Sequence, residues 1–470
     1  MSSPKRRPRL EVLLLLIVII LLIVIAGLLC NRCCRPVHGR KPNSKDSIRL
    51  GSWNILLSRP TTDDTVASIV SLLEKQLMDS LGSYGYEPRE IHFRPYYCPC
   101  DSLLINLSVT ILDESGGSKV PPSPAGSLTP SGGSEFLASI QYNTDLYIPE
   151  IENKRRPFLD TIHLLNDYTG TQEPNPRLKE IRVAFIDTGI DSLFAKATGI
   201  GRFLIPRSSL SLSNFLPFED PHDNRDDDMG MKHGSMVTAA FVQRWNGNIF
   251  NMKLMELKAL DSHGSGTSFS ASCALSYAIQ QKVDLINASW GYYGAVDSIL
   301  LHYIGLCNAR SIPVVAAAGN VKGPHVPNMV DWHEADYPNQ AGLLLEGSGS
   351  DTPNLFYPAC MSKDMPYVIT VTGVNKDVTS GPLPCYYQNY SPEFVSIGVM
   401  NLHTCCTFTM GSTAVEGSSF EAPVVSYDAA SALTMLNGPR PAKAIDLVGT
   451  VQTDLPLAKY IQNGRFIRTN

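Results

Sequence analysis

Four short segments of this chain carry the residue types that acyl-transfer chemistry needs. Ile186-Asp187-Thr188-Gly189 puts a carboxylate where an apolar strand ends, and Lys232-His233-Gly234-Ser235 puts an imidazole ahead of a small-residue helix. Ala317-Ala318-Gly319-Asn320 puts an amide just beyond another apolar strand, and Gly417-Ser418-Ser419-Phe420-Glu421-Ala422-Pro423 puts a hydroxyl at a helix start. A serine hydroxyl is a poor nucleophile at neutral pH and needs a base within hydrogen-bond reach, which an imidazole of unperturbed pKa about 6.5 supplies. Asp187 would hold the tautomer of His233 and stabilise its imidazolium. The tetrahedral oxyanion needs donors fixed in advance, and the Asn320 amide and the Ser419 backbone N–H are the candidates. Each segment alone reads as a turn or a helix cap. The four together, in the order Asp, His, Asn, Ser, have no such joint reading.

These residues need a scaffold that gathers strand ends. After Arg177 the chain alternates short apolar strands with helices. Val183–Ile186, Leu254–Leu257, Leu285–Ala288, Pro313–Ala317 and Tyr367–Val371 are uninterrupted enough to be buried on both faces, as parallel strands are. Phe269, Cys273, Ala274, Tyr277 and Ala278 recur at helical spacing between them, as do Leu300, Ile304 and Cys307. The expected fold class is therefore α/β, a doubly wound and mainly parallel sheet whose chemistry lies at the carboxyl ends of its strands. A last helix is expected from about Ala422 to Leu436, with Pro423 in its first turn and Ser419 at its positive end.

The 470 residues, 43% hydrophobic and 18% charged, are enough for one large core and smaller attachments. A net charge of -5 carries no polyanion signature, so no nucleic-acid partner is expected. The 11 cysteines are an odd number and include no paired Cys-x-x-Cys, so zinc is not expected. Cys98-Pro99-Cys100 reads as unpaired thiols. Residues 1–11 form a basic tail, and 12–30 an apolar run long enough to cross a hydrocarbon core of about 30 Å. A juxtamembrane segment follows at 31–45, then a small α+β module at 46–112 with a helix marked by Val66, Ile69, Val70, Leu73 and Leu77. That module reads as an inhibitory propeptide or a stalk. Residues 113–134 are a Ser/Gly/Pro linker, 135–180 a connecting segment and 181–470 the α/β domain.

Asp187-Thr188-Gly189, His233-Gly234-Ser235, Asp284 to Gly291, Val314 to Asn320 and Gly417 to Pro423 together resemble the subtilisin-like serine proteases, the subtilases. Leu257 to Gly266 is similar to the strand and turn that lead into that family's substrate groove. The triad order is the family's known one. The resemblance spans roughly Ile181 to Gln452. It implies peptide-bond hydrolysis by Asp187, His233 and Ser419 through an acyl-enzyme, with Asn320 in the oxyanion hole. It also implies a peptide or protein substrate added as a strand to Ser289-Trp290-Gly291, with Ala317, Ala318 and Gly319 on the other wall of the specificity pocket, Trp290 standing at its entrance. Many subtilases bind calcium, but no site is assignable. Asp223, Asp226, Asp227 and Asp228 read as a charged loop, and the residues from Val321 to Phe356, with His325, Asp331, His333, Glu334 and Asp336, as a solvated insertion. No metal ligand or cofactor is assigned, and the oligomeric state is not legible. The expected protein is a single-pass membrane endopeptidase with an extracytoplasmic catalytic domain. The alternative is a catalytically silent subtilase fold that binds peptides or partners. Glu421, two residues after Ser419, departs from the family's small residue there; a carboxylate in the first helical turn suits the dipole, but one buried next to His233 would disturb the base. Ala239 and Phe241 after the histidine, and the lack of His-Pro after Gly189, are further departures.

Overall fold

The computed structural model describes residues 47–58, 63–83, 91–112, 137–148, 178–206, 209–210, 212–219, 227–230, 232–244, 251–320, 355–377, 381–385, 388–401, 407–410 and 413–469. The chain divides into two compact units, Met1–Ile48 with Ile111–Ser118 and Arg49–Thr110 with Lys119–Asn470. Of the first, only the ends of two strands are described. Among the described residues no helix is long and apolar enough to cross a membrane, and the expected span at 12–30 lies outside them.

The N-terminal module consists of β1 (Ser47–Leu57), α1 (Asp63–Ser83), β2 (Ile91–Tyr97), β3 (Leu104–Leu112) and β4 (Leu137–Tyr142), with sheet order β2-β3-β1-β4. Ile69, Val70 and Leu73 of α1 are buried, as their spacing predicts. Strand β4 comes from the stretch the sequence left as a connecting segment. It runs antiparallel to β1, with Ile55 opposite Ile140. Its six residues are too short and too mixed to announce a strand without the partner that completes the pairing.

A three-residue strand, β5 (Asp145–Tyr147), then precedes β6 (Glu180–Asp187), α2 (Ser192–Ala197), α3 (His233–Val242), β7 (Asn251–Lys258) and β8 (Ser265–Thr267). Next come α4 (Ser268–Gln280), β9 (Leu285–Ala288), β10 (Tyr292–Tyr293), α5 (Ser298–Ala309), β11 (Val314–Ala317) and β12 (Phe356–Tyr357). The last part contains β13 (Val368–Asp377), β14 (Gly381–Pro384), β15 (Ile397–Asn401), the hairpin β16 (Thr407–Met410) and β17 (Thr413–Glu416), α6 (Ser418–Met435), β18 (Gln452–Thr453) and β19 (Arg465–Thr469).

Nine of these strands form one sheet in the order β18-β19-β15-β13-β11-β9-β6-β7, with β14 paired to β13. All pairings from β19 to β7 are parallel, and β18 and β14 are antiparallel additions at the margins. Side chains alternate between faces. Val183, Phe185, Val315, Ile369 and Val371 pack under α3 and α6, while Ala184, Ile186, Val314, Ala316 and Val368 pack under α4 and α5. Two apolar faces are why the strand sequences show uninterrupted runs. The parallel register puts Ile186 beside Ala288 and Ala288 beside Ala316. The residues just beyond these three strands therefore emerge at one edge.

The module meets the α/β domain through buried amides. Asn143 Oδ1 accepts from Asn54 Nδ2 (2.9 Å), Ser268 Oγ (3.1 Å) and the Phe269 N–H (3.1 Å), while its Nδ2 donates to Ser52 Oγ (2.9 Å). Replacing such a hub strands several buried donors, each costing about 1–3 kcal/mol. Asn143→Leu is expected to lower the unfolding free energy by about 2–3 kcal/mol. The measurement is a denaturant titration, in which the midpoint should fall while the slope stays constant.

Candidate active site

Asp187 is the last residue of β6, and His233 opens α3, whose ten residues are all buried. Their contact is His233 Nδ1 to Asp187 Oδ1 at 2.8 Å, with both side chains 1% exposed. The same Oδ1 accepts the Thr188 N–H at 2.8 Å. A carboxylate accepting from Nδ1–H selects the tautomer whose Nε2 is a free base. Nε2 is buried and has no hydrogen-bond partner among the described residues. The Phe420 ring lies against the imidazole, centroids 5.5 Å apart.

A second carboxylate holds this pair from behind. Asp227 is fully buried, although the run of acids around it reads as a charged loop. Its Oδ1 accepts from Thr188 Oγ1 (2.9 Å), and its Oδ2 from the Ser235 N–H (3.0 Å) and Ser235 Oγ (2.8 Å). Thr188 Oγ1 in turn accepts the Gly234 N–H at 2.9 Å. The residues that follow Asp187 and His233 are thereby tied together. Burial pushes the Asp227 carboxyl up, opposed by the Ser235 and Thr188 hydrogen bonds and reinforced by the charge of Asp187. Only glycine fits at 234, since a Cβ there would stand 2.3 Å from the Gly189 carbonyl oxygen. Asp228 pairs with the buried amine of Lys258 at 2.6 Å. Asp223 and Asp226 lie outside the described residues, as do 321–354 of the insertion. Among the described residues no cluster of His, Cys, Asp or Glu could hold a metal ion.

Ser419 is the second residue of α6, so the helix starts four residues earlier than its sequence suggests and Pro423 falls inside it. Gly417, at φ 120° and ψ 151°, makes the entry turn in a conformation that side chains resist. Proline lacks the N–H that would pair with the carbonyl four residues back. That carbonyl belongs to Ser419, and Ser289 Oγ donates to it at 2.9 Å. Reciprocally, Ser419 Oγ donates to the Ser289 carbonyl oxygen at 3.2 Å. The hydroxyl proton is therefore given to Ser289, and no hydrogen bond joins Ser419 to His233 Nε2.

Asn320 Oδ1 accepts from the Ser418 N–H (3.0 Å) and Ser418 Oγ (3.3 Å). This fixes the amide so that its donor edge faces away from Ser418. Ser418, which no sequence motif singles out, also accepts the Gly319 N–H at 3.0 Å through Oγ.

The residues expected to line a substrate groove are largely buried. Trp290 is buried in the core with Nε1 donating to the Ile186 carbonyl (2.8 Å), so its indole is not at a pocket entrance. Ser289 is fully buried, and Ala317 and Ala318 turn their methyls into the core. Gly319, at φ 90°, passes its carbonyl to the Asn389 N–H at 3.0 Å. At Gly291 a Cβ would stand 2.4 Å from the Phe356 ring. Gly291 pairs with Tyr147, accepting its N–H at 3.0 Å and donating back at 3.1 Å. Strand β5 simultaneously pairs antiparallel with β8, Leu146 opposite Gly266, and the Ile148 N–H reaches the Gly264 carbonyl at 3.0 Å. A strand of this chain thus pairs on one side with Gly291, within the segment to which a substrate strand was expected to add, and on the other with β8.

Cys98, Cys100, Cys273, Cys307 and Cys360 are free thiols, while Cys385 is disulfide-bonded. Burial pushes Cys273 to about 11 and Cys307 to about 12, which keeps these thiols protonated and unreactive.

Residues 179–453 match the family model described as Peptidase_S8, Subtilase family. The cell wall-associated protease of Bacillus subtilis (strain 168) is 26% identical over 226 residues, which cover 42% of this chain and 24% of that relative. Among solved structures, a mutant of the protease domain of PatA is 19% identical, with 63% of this chain and 95% of that one covered at a TM-score of 0.40. Because the family model takes in more than half of the 470 residues, the chain belongs to the subtilases, a family of serine proteases.

Proposed function

We propose that this chain is a serine endopeptidase that cleaves peptide bonds through an acyl-enzyme on Ser419. The observation that carries the reading is the buried 2.8 Å contact between Asp187 and His233, whose Nε2 has no hydrogen-bond partner among the described residues and whose ring lies against Phe420 in the first turn of α6. Ser419 Oγ turns from the Ser289 carbonyl to His233, gives its proton to Nε2 and attacks the scissile carbonyl carbon. The oxyanion takes hydrogen bonds from the Asn320 amide and the Ser419 N–H, while Asp187 stabilises the imidazolium. His233 then returns the proton to the leaving amine, and water hydrolyses the ester by the same path in reverse. In subtilisin itself, losing the oxyanion asparagine costs about 10²–10³ in turnover.

A fluorophosphonate is expected to label Ser419 in the intact protein, and Ser419→Ala to abolish labelling. Correctly folded wild-type protein that stays unlabelled would establish the silent, partner-binding reading instead.

Strand β5 supports a second element of this reading, in which the segment up to Ile148 inhibits the groove it occupies. The N-terminal module and β5 together are then an inhibitory propeptide rather than a stalk. A substrate backbone would use the same edges, Gly264 to Gly266 on one side and Gly291 on the other. Tyr147→Pro removes the N–H given to Gly291, a bond worth about 0.5–1.5 kcal/mol net. KM for an extended peptide should fall by about 2- to 10-fold, since the internal strand then competes less well. Labelling by a small fluorophosphonate should be unchanged. An unaltered KM would count against inhibition by β5.

Residues 12–30 are proposed to tether the protein to a membrane with the catalytic domain outside the cytoplasm. The disulfide at Cys385 favours an oxidising compartment. The name of the Bacillus subtilis relative, a cell wall-associated protease, agrees with that side. Protease added to intact spheroplasts should digest the catalytic domain, and its protection until lysis would reverse the orientation.

A further inference from the structure

Glu421 is a carboxylate in the first turn of α6, 1% exposed and two residues beyond Ser419. The helix dipole favours an acid there, but a buried carboxylate also needs a donor. Glu421 Oε1 accepts from Gln388 Nε2 at 3.1 Å. Gln388 is itself fully buried, and its Oε1 accepts the Gly373 N–H (2.6 Å) and Thr372 Oγ1 (3.4 Å). An amide with a carboxylate at one end and an N–H at the other has only one orientation that satisfies both. The space is closed as well. A Cβ at Gly373 would stand 2.6 Å from Cys385 Sγ, 2.7 Å from Glu421 Oε1 and 2.9 Å from Gln388 Nε2.

Beyond this fixed side chain, the backbone of Gln388 forms an antiparallel bridge with Asn320. The next residue continues the brace. The Asn389 N–H donates to the Gly319 carbonyl (3.0 Å), and Asn389 Nδ2 donates to the Ala318 carbonyl (2.8 Å) and the Tyr293 hydroxyl (2.7 Å). Thr372 Oγ1 holds the Asn389 carbonyl at 2.7 Å, and the Tyr293 hydroxyl donates to the Asn320 carbonyl at 3.3 Å. Residues 388–389 are thus laid across 318–320, and Glu421 holds one end of the brace from the helix that carries Ser419.

We infer that Glu421 is a positioning residue, which through Gln388 sets the Ala318–Asn320 backbone and so places the Asn320 donor edge relative to Ser419. This rests on the serine-peptidase reading above. A displaced donor weakens binding of the oxyanion while leaving substrate binding alone, so the effect belongs in kcat and not in KM.

The test uses the full chain, a chromogenic peptide ester and a peptide aldehyde, whose hemiacetal with Ser419 puts an oxygen in the oxyanion position. Glu421→Ala should lower kcat about 10-fold, a fraction of the loss expected for the asparagine itself, with KM within about two-fold. The aldehyde inhibition constant should weaken in parallel with kcat. Glu421→Gln keeps an acceptor oxygen for Gln388 Nε2 and should recover most of the rate. Gln388→Ala should reproduce the loss, and the double variant should be no worse than either single one. Unchanged kcat in Glu421→Ala, a Glu421→Gln as slow as the alanine variant, or losses that multiply would each overturn the inference. If Glu421→Ala does not fold, Gln388→Ala decides by the same criteria. Absence of labelling and turnover in the wild type would sink the serine-peptidase reading, whereas a labelled, active wild type with insensitive variants would sink only the role of Glu421.

Discussion

A missing N–H on Pro423 decides how the helix at the centre of this site begins. Because proline cannot donate to the carbonyl four residues before it, the Ser419 carbonyl is left over from the helical ladder at a buried position. Ser289, just past the end of β9, supplies the donor, and its own carbonyl accepts the Ser419 hydroxyl. One backbone vacancy therefore couples the helix that carries the serine to the strand end expected to bind substrate. The same first turn is held on its other side by Asn320, which accepts from Ser418. Two strand ends thus meet at the first turn of α6, whose dipole favours negative charge beside Ser419.

The rest of the site shows the same economy of buried polar groups. Asp227 joins Thr188 to Ser235, so that the loops following Asp187 and His233 cannot shift independently. Gln388 and Asn389 do the equivalent for the loop carrying Asn320. In a low-dielectric interior each such bond is stronger than in water, and each group would be costly if left unpaired. The bonds that are made tie the loops to one another at several points. Such ties matter because hydrogen-bond donors stabilise a developing charge only if they are in place beforehand.

The α/β scaffold was largely legible in the sequence because a parallel sheet buried on both faces imposes uninterrupted apolar runs, and five such runs coincide with β6, β7, β9, β11 and β13. The positions of Asp187, His233, Asn320 and Ser419 at strand ends and helix starts followed from those runs. Strands β4 and β5 were not legible, since six and three residues of mixed polarity become strands only by pairing with β1 and β8. Asp227 was misread because an acid in an acidic run looks solvated, and only the fold brings Thr188 and Ser235 to it. Trp290 was misread in the opposite sense, since a motif that binds through its backbone says nothing about where the indole goes. Gln388, Asn389 and Ser418 carried no sequence signal. Their roles arise from contacts between segments far apart in the chain, and no periodicity records such contacts.

The pairing of β5 with β8 and Gly291 carries a constraint if a substrate strand is to use the same edges, as proposed. The edges that recognise a substrate strand are unpaired backbone groups, and unpaired edges accept whichever extended segment is present at the highest effective concentration. A segment of the same chain reaches effective concentrations on the order of millimolar, so it outcompetes most free peptides without needing any tighter contact. On the proposed reading, raising the affinity of Gly264 to Gly266 and Gly291 for backbone would strengthen β5 and substrate alike. On that reading the groove opens only through something that distinguishes the two, a contact made by β5 alone or its connectivity. Cutting or displacing the chain on either side of β5 removes the effective-concentration advantage while leaving every contact at the groove edges intact.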